Sequence, residues 1–104
     1  SGNPFFTTDT AAALRAIEVG ADILVKGTKV DGVYTADPKK DPGAKRYDRL
    51  TFDRVINDKL NVMDTTAVVM CRENSVPIRV FNLQLAGELL RLARGENVGT
   101  LVAD

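Results

Sequence analysis

The sequence predicts an α/β fold with a mostly parallel sheet, and three observations lead to that class. Segments with helical periodicity alternate with short apolar runs along the chain, an order typical of helices layered on a sheet. Hydrophobic residues make up 44% of the chain and charged residues 27%, as in ordinary globular proteins. The length of 104 residues corresponds to one domain or to part of one.

The first half of the chain predicts a helix, a strand and a long loop. The helix is expected over 9–20, because a Thr-Thr-Asp run can cap it, alanine is frequent and Gly20 ends it. The apolar run 22–26 predicts a strand that is buried on both faces. Residues 28–46 are rich in Gly, Pro, Asp and Lys and predict one loop, whose length indicates function or disorder.

The second half continues the alternation of helices and strands. A helix that includes Asp64 places Ala67, Val68 and Cys71 on one apolar face. The predicted elements are a short strand over 47–51, a helix over 52–60 capped by Thr51, a helix over 63–73, a strand over 78–81, a helix over 86–94 and a closing strand over 100–102.

Composition restricts the chemistry and the partners. A net charge of zero predicts no nucleic-acid partner, and no apolar run approaches the roughly 18 residues that span a bilayer, so no membrane partner is expected. The single cysteine, Cys71, excludes a disulfide within the chain and indicates a reducing cytosol. Without histidine, Ser-His-Asp and Cys-His catalysis are excluded, as are zinc sites built on His or Cys. The carboxylates, cations, hydroxyls and amides that remain suit phosphoryl transfer, which depends mainly on positioning.

The opening of the chain has the composition of an anion-binding loop. Gly2 lets the backbone approach a ligand, Pro4 stiffens the turn, and Thr7 and Thr8 lead into a helix N-terminus, which favours an anion. On these residues alone, a plain strand-to-helix connection with a threonine cap is an equally good interpretation.

A second candidate loop, residues 28–38, follows the predicted buried strand. Ligands of open α/β sheets bind at the carboxyl ends of strands, which favours a site here. Gly32 allows a turn with positive φ, and Asp37-Pro38 favours an extended or turn geometry. A solvated turn is the alternative, and the residues alone do not separate the two.

Together the two runs Gly-Asn-Pro-Phe-Phe-Thr-Thr-Asp (2–9) and Thr-Lys-Val-Asp-Gly-Val-Tyr-Thr-Ala-Asp-Pro (28–38) resemble those of bacterial UMP kinases, in the amino acid kinase superfamily. The resemblance extends over the whole chain. It implies a three-layer αβα sandwich, of which residues 1–104 are the C-terminal, nucleotide-binding portion without the N-terminal half. Such a portion is expected to be inactive alone.

The same resemblance implies a reaction and an assembly. The expected reaction is phosphorylation of UMP by ATP with Mg²⁺, in a cytoplasmic homohexamer that serves pyrimidine nucleotide synthesis. Two alternatives stay open. One is another superfamily enzyme, such as an aspartokinase or an acetylglutamate kinase, and the other is a non-catalytic nucleotide-binding module.

The resemblance also assigns site residues. Asp9 takes the catalytic role of orienting lysines, with a helix cap as the alternative. Thr28, Tyr34 and Asp37 contact ATP, with Tyr34 against the adenine and Asp37 near the polyphosphate. No residue is assigned to a metal. The expected UMP contacts are Ser1, which replaces a more usual threonine, and Gly2, Asn3, Pro4, Phe5, Phe6, Thr7 and Thr8.

Three further residues have a structural and a functional interpretation. Asp64 is expected to cap a helix, and the resemblance adds a supporting role near the nucleotide. Lys26 and Lys29 are the cations nearest the second loop and could reach a phosphate, although Lys29 is better interpreted as a surface lysine.

Overall fold

Four helices and four strands lie within residues 8–28, 32–82 and 87–104, the residues that the computed structural model describes. Among these residues, no helix combines the length and apolar character that crossing a bilayer requires. The elements in chain order are α1 (Thr8–Glu18), β1 (Leu24–Thr28), β2 (Arg49–Leu50), α2 (Phe52–Asn57), α3 (Thr65–Glu73), β3 (Ile78–Asn82), α4 (Glu88–Ala93) and β4 (Thr100–Val102).

The strands form one mixed sheet in the order β1-β3-β4-β2. β1 pairs with β3, and β2 with β4, in parallel, whereas β3 and β4 are antiparallel. The prediction of an α/β fold with a mostly parallel sheet is confirmed. β4, predicted as a closing strand, lies inside the sheet between β3 and β2.

The hydrophobic core lies between one face of the sheet and helices α1, α2 and α3. Side chains two residues apart on a strand share a face, so Ile78 and Val80 of β3 both point into this core. α3 contributes Ala67, Val68 and Cys71, the face expected from the sequence. Burial raises the pKa of the Cys71 thiol, which suits a packing role and not a nucleophilic one.

The other face of the sheet is only partly covered by described residues. Val25 is 43% exposed, and its neighbours in register, Arg79 and Leu101, are half-buried. The prediction that this first strand is buried on both faces was therefore wrong, and β1 also begins two residues later than expected. β1 is an edge strand of the described sheet, and the core covers only its Leu24 side.

The helix ends follow the capping signals in the sequence. α1 stops at Gly20, which has a φ of 67°, because the Gly20 and Ala21 amides donate to the carbonyls of Ile17 and Ala16. This is a Schellman motif, in which glycine adopts the left-handed conformation without a Cβ penalty. Thr51 caps α2 by accepting from the Arg54 amide, as predicted.

Several helix boundaries differ from the predictions by one to three residues, and α1 covers Thr8–Glu18 where 9–20 was predicted. α2 ends at Asn57 instead of residue 60, and α3 begins at Thr65 instead of residue 63. α4 covers Glu88–Ala93 of the predicted 86–94. Within the predicted 28–46 loop, Thr28 belongs to β1, and Tyr34 and Arg46 form an antiparallel bridge.

At Gly99 the backbone lies so close to the backbone of β3 that a residue with a side chain does not fit. A Cβ there would lie 1.8 Å from the Val80 carbonyl oxygen, whereas a Cβ at Gly20, which has the same φ of 67°, would meet nothing within 4 Å. We expect Gly20→Ala to lower the unfolding free energy of the full-length protein by about 1 kcal/mol through backbone strain. Gly99→Ala should cost a further 1–3 kcal/mol, roughly, through overpacking. Thermal and urea denaturation of both variants measure the difference, and equal losses would contradict the steric argument.

Candidate active site

The core face of the sheet changes from apolar to polar towards the carboxyl ends of β1 and β3. Its first row, across the strands in register, is apolar: Leu24, Ile78, Val102 and Leu50. The next row is Lys26, Val80 and Thr100, and the last is Thr28 and Asn82. Polar side chains therefore gather where ligands of α/β sheets usually bind, at the carboxyl ends of parallel strands.

Asp9 lies at the centre of the polar contacts at this edge. It stands in the first turn of α1, and its Oδ1 accepts from the Lys26 Nζ of β1 at 2.5 Å. Its Oδ2 accepts from the Asp64 backbone amide at 3.2 Å. One carboxylate thereby joins the start of α1 to β1 and to the start of α3. The Lys26 and Asp9 side chains keep exposed fractions of 32% and 21%, so solvent or a ligand can still reach the pair.

Asp64 is the N-cap of α3, as predicted. Its Oδ1 accepts from the Ala67 amide at 3.0 Å and from the Thr10 hydroxyl at 3.3 Å. Thr10 is buried in α1, so this carboxylate ties the two helix starts together. The supporting role near a nucleotide stays a prediction.

The second candidate loop forms a narrow hairpin, which we call the 33–47 loop. At its base the Tyr47 amide donates to the Val33 carbonyl at 2.8 Å, and the Thr35 amide donates to the Lys45 carbonyl at 2.9 Å. Near its tip the Asp37 Oδ1 accepts from the Lys39 amide at 3.0 Å, so this carboxylate also shapes the turn.

Two of the three predicted ATP contacts share a cleft. Tyr34 and Asp37 line a space of about 460 Å³, the loop cleft, whose opposite wall is residues 58–61. Thr28 is placed elsewhere, at the end of β1, where its hydroxyl donates to the Phe81 carbonyl at 3.4 Å. The sequence therefore located one wall of the cleft, and the structure brings the second wall to it.

The wall formed by residues 58–61 was missed by the sequence analysis. Lys59, Leu60 and Asn61 also line a second space of about 700 Å³ between α2 and α3, the helix cleft, which reaches Asp64. Lys59 has a φ of 53°, which is unusual for a residue with a Cβ. No glycine marks this turn, so the sequence carried no signal for it.

Several predicted site residues lie outside the described part of the chain. Ser1 to Thr7 of the predicted UMP loop are among them, while Thr8 begins α1. Lys29 also lies outside it, so of the two candidate phosphate-binding lysines the structure places Lys26.

Gly32 is required by close packing, because a Cβ there would lie 2.6 Å from the Thr100 Oγ1.

Capping by Asp64 makes a prediction about stability. Asp64→Ala removes the acceptor of the Ala67 amide and should lower the unfolding free energy by about 1 kcal/mol, whereas Asp64→Asn keeps a good N-cap and should cost much less. Asp48→Ala is the control, since the Asp48 side chain is 94% exposed and should have little effect. Thermal denaturation compares the three variants. Equal losses for Asp64→Ala and Asp64→Asn would show that charge, and not capping, is what matters.

The chain is similar to curated proteins named uridylate kinase along nearly its whole length. It is 60% identical over 102 residues to the uridylate kinase of Methylococcus capsulatus, covering 98% of this chain and 43% of that protein. It is 57% identical over 104 residues to the uridylate kinase of Pseudomonas aeruginosa, covering all of this chain and 42% of that protein. The chain thus spans about two fifths of the length of the curated relatives it matches.

Solved structures share the fold. The UMP kinase of Bacillus anthracis superposes with a TM-score of 0.94 at 40% identity, over 100% of this chain and 43% of that one. The uridylate kinase of Archaeoglobus fulgidus gives a TM-score of 0.79 at 34% identity, over 97% of this chain and 49% of that one. These similarities confirm the resemblance inferred from the two motifs. A model of the amino acid kinase family matches residues 1–82, and the chain belongs to that family.

Proposed function

We propose that the chain is the nucleotide-binding part of a kinase that transfers a phosphoryl group from ATP to UMP. The observation that carries the proposal is the 57–60% identity, over nearly every residue, to proteins named uridylate kinase. The site geometry supports it, because a partly exposed Lys–Asp pair stands at the carboxyl edge of the sheet, and the loop that follows β1 forms a cleft. ATP and UMP are the proposed ligands.

The proposed chemistry needs no nucleophilic side chain. A phosphate oxygen of UMP attacks the γ-phosphorus of ATP while the bond to the β-phosphate oxygen breaks, which yields UDP and ADP. The protein contributes position and charge. Asp9 holds Lys26 from one side and is itself held by the Asp64 amide, so the ammonium has a defined place near the transferring group. The UMP phosphate is proposed to bind the loop that leads into α1.

Binding of ATP is assigned to Thr28, Tyr34 and Asp37. Tyr34 offers an aromatic face in the loop cleft, a surface on which a base can stack. On the opposite wall of the same cleft, the Lys59 ammonium supplies a positive charge for a polyanion. Thr28 stands at the carboxyl end of β1, where a hydroxyl can meet the nucleotide from another side.

Mg²⁺ is proposed to arrive with ATP. Among the described residues, no three acidic, histidine or cysteine side chains cluster as a metal site. Mg²⁺ is commonly held by substrate phosphates, waters and one or two carboxylates, so an ion that enters with the ATP phosphates needs no cage of protein ligands. When bound, the ion neutralises charge on the transferring phosphate.

Substrate choice tests the proposal directly. The full-length protein with Mg-ATP is offered UMP, CMP, aspartate and N-acetylglutamate in parallel, and release of ADP is measured. A strong preference for UMP is expected. Turnover of an amino acid would instead indicate another activity of the family, and ATP binding without turnover of any acceptor would indicate a non-catalytic module. We also propose that the full-length protein is a homohexamer, as the resemblance implies, and light scattering on the same sample tests this.

A matched pair of variants tests the role of Asp9. Asp9→Asn keeps the shape and the hydrogen-bond acceptor but removes the charge that holds Lys26, so kcat should fall by on the order of 100-fold. Asp48→Asn makes the same change at a side chain that is 94% exposed and should leave kcat unchanged. The initial rate at saturating ATP and UMP is measured for both, with melting temperatures as a check on folding. Equal kcat values would leave Asp9 only the structural role of joining the start of α1 to β1 and α3.

A further inference from the structure

A single buried hydroxyl joins the two ends of the 33–47 loop. Thr100 of β4 is fully buried, and its Oγ1 accepts from the Val33 amide at 2.9 Å. The same hydroxyl donates to the Tyr47 carbonyl at 2.5 Å. Val33 and Tyr47 are the first and last residues of the loop, so one side chain on a core strand connects both to the sheet.

Packing alone does not require a hydroxyl at this position. Thr100 stands opposite Val80 in the core face of the sheet, two residues from Val102, and valine has nearly the shape of threonine. What valine lacks is the donor and acceptor for two backbone groups. The Val33 amide is buried, and a buried amide without an acceptor is costly. The hydroxyl therefore serves the loop.

The anchored residues lie next to the cleft wall. Tyr34 follows Val33 directly and lines the loop cleft together with Asp37. Gly32, on the other side of Val33, approaches so closely that a Cβ would lie 2.6 Å from the Thr100 Oγ1. Because Val33 and Tyr34 are joined by one peptide unit, a shift of the Val33 backbone must also move Tyr34.

We propose that Thr100 is a positioning residue for the nucleotide cleft, holding the 33–47 loop so that Tyr34 and Asp37 face residues 58–61. Thr100 is buried beneath the loop and acts through the Val33 and Tyr47 backbone. The inference rests on the proposed function, because it assigns the loop cleft to ATP. It adds a residue on a core strand for which the sequence suggested no role in binding.

Substitution of Thr100 in the full-length protein tests the proposal. Thr100→Val removes the hydroxyl and keeps the shape, Thr100→Ser keeps the hydroxyl, and Val102→Ala weakens the core on the same strand and face without touching the loop. We expect Thr100→Val to raise the Kd and the KM for ATP by about tenfold, because the Val33 amide loses its buried acceptor and the Tyr47 carbonyl loses its donor. The KM for UMP should not change, and Thr100→Ser should restore ATP binding. Val102→Ala should lower the melting temperature without changing the KM for ATP.

Hydrogen exchange gives a readout that does not depend on the activity. Without nucleotide, the Val33 amide should exchange faster in Thr100→Val than in the wild type or in Thr100→Ser. Faster exchange with unchanged ATP affinity would overturn the positioning role and leave the proposed function standing. So would an equal rise of the KM for ATP in Val102→Ala, since the effect would then be general destabilisation. A wild-type protein that does not bind ATP would overturn both. Should Thr100→Val not fold, Thr100→Cys, with a weak thiol donor, carries the same expectation.

Discussion

The pairing register of β4 on β3 is the constraint on which the core and the site both depend. Gly99 has a φ of 67° and fits against the Val80 carbonyl, where a Cβ would lie 1.8 Å from the oxygen. This contact starts β4 so that Thr100 stands opposite Val80 and Val102 opposite Ile78. A slip by one residue would turn Leu101 into the core and the Thr100 hydroxyl away from it. The apolar row and the anchor of the 33–47 loop would then be lost together.

One face of the sheet serves two purposes because its composition changes along the strands. The row of Leu24, Ile78, Val102 and Leu50 excludes water and stabilises the fold. Four residues further along β1 and β3 the same face presents Thr28 and Asn82. Between them Lys26 is satisfied by Asp9, since an unpaired ammonium beside the core would be costly. On β1, the apolar residue that stabilises the core, Leu24, and the first polar residue of the candidate site, Lys26, are thus two positions apart.

Helix termini shape the sheet edge at which the candidate site lies. The starts of α1 and α3 meet there, connected through Asp9, Asp64 and Thr10. The end of α2 forms the far wall of the loop cleft. There the Lys59 amide donates to the Ile56 carbonyl and the Leu60 amide donates to the Val55 carbonyl, which is a Schellman motif. Lys59 adopts the left-handed conformation that glycine usually supplies, with a φ of 53°. The helix end thereby places Lys59 on the wall of the loop cleft.

Local signals in the sequence determined most of the elements and part of the site. The caps Thr51 and Asp64, the stop at Gly20 and the apolar face of α3 each depend on neighbouring residues, so the sequence alone predicted them. The sequence alone also predicted a candidate binding loop that contains Tyr34 and Asp37. Tertiary structure decided the partial exposure of β1, the antiparallel pairing of β4, the Asp9–Lys26 pair and the anchoring role of Thr100. Each of these depends on contacts between residues that are far apart in the chain. Hydrophobic periodicity indicates which face of an element is buried, but not which strand or loop lies against that face.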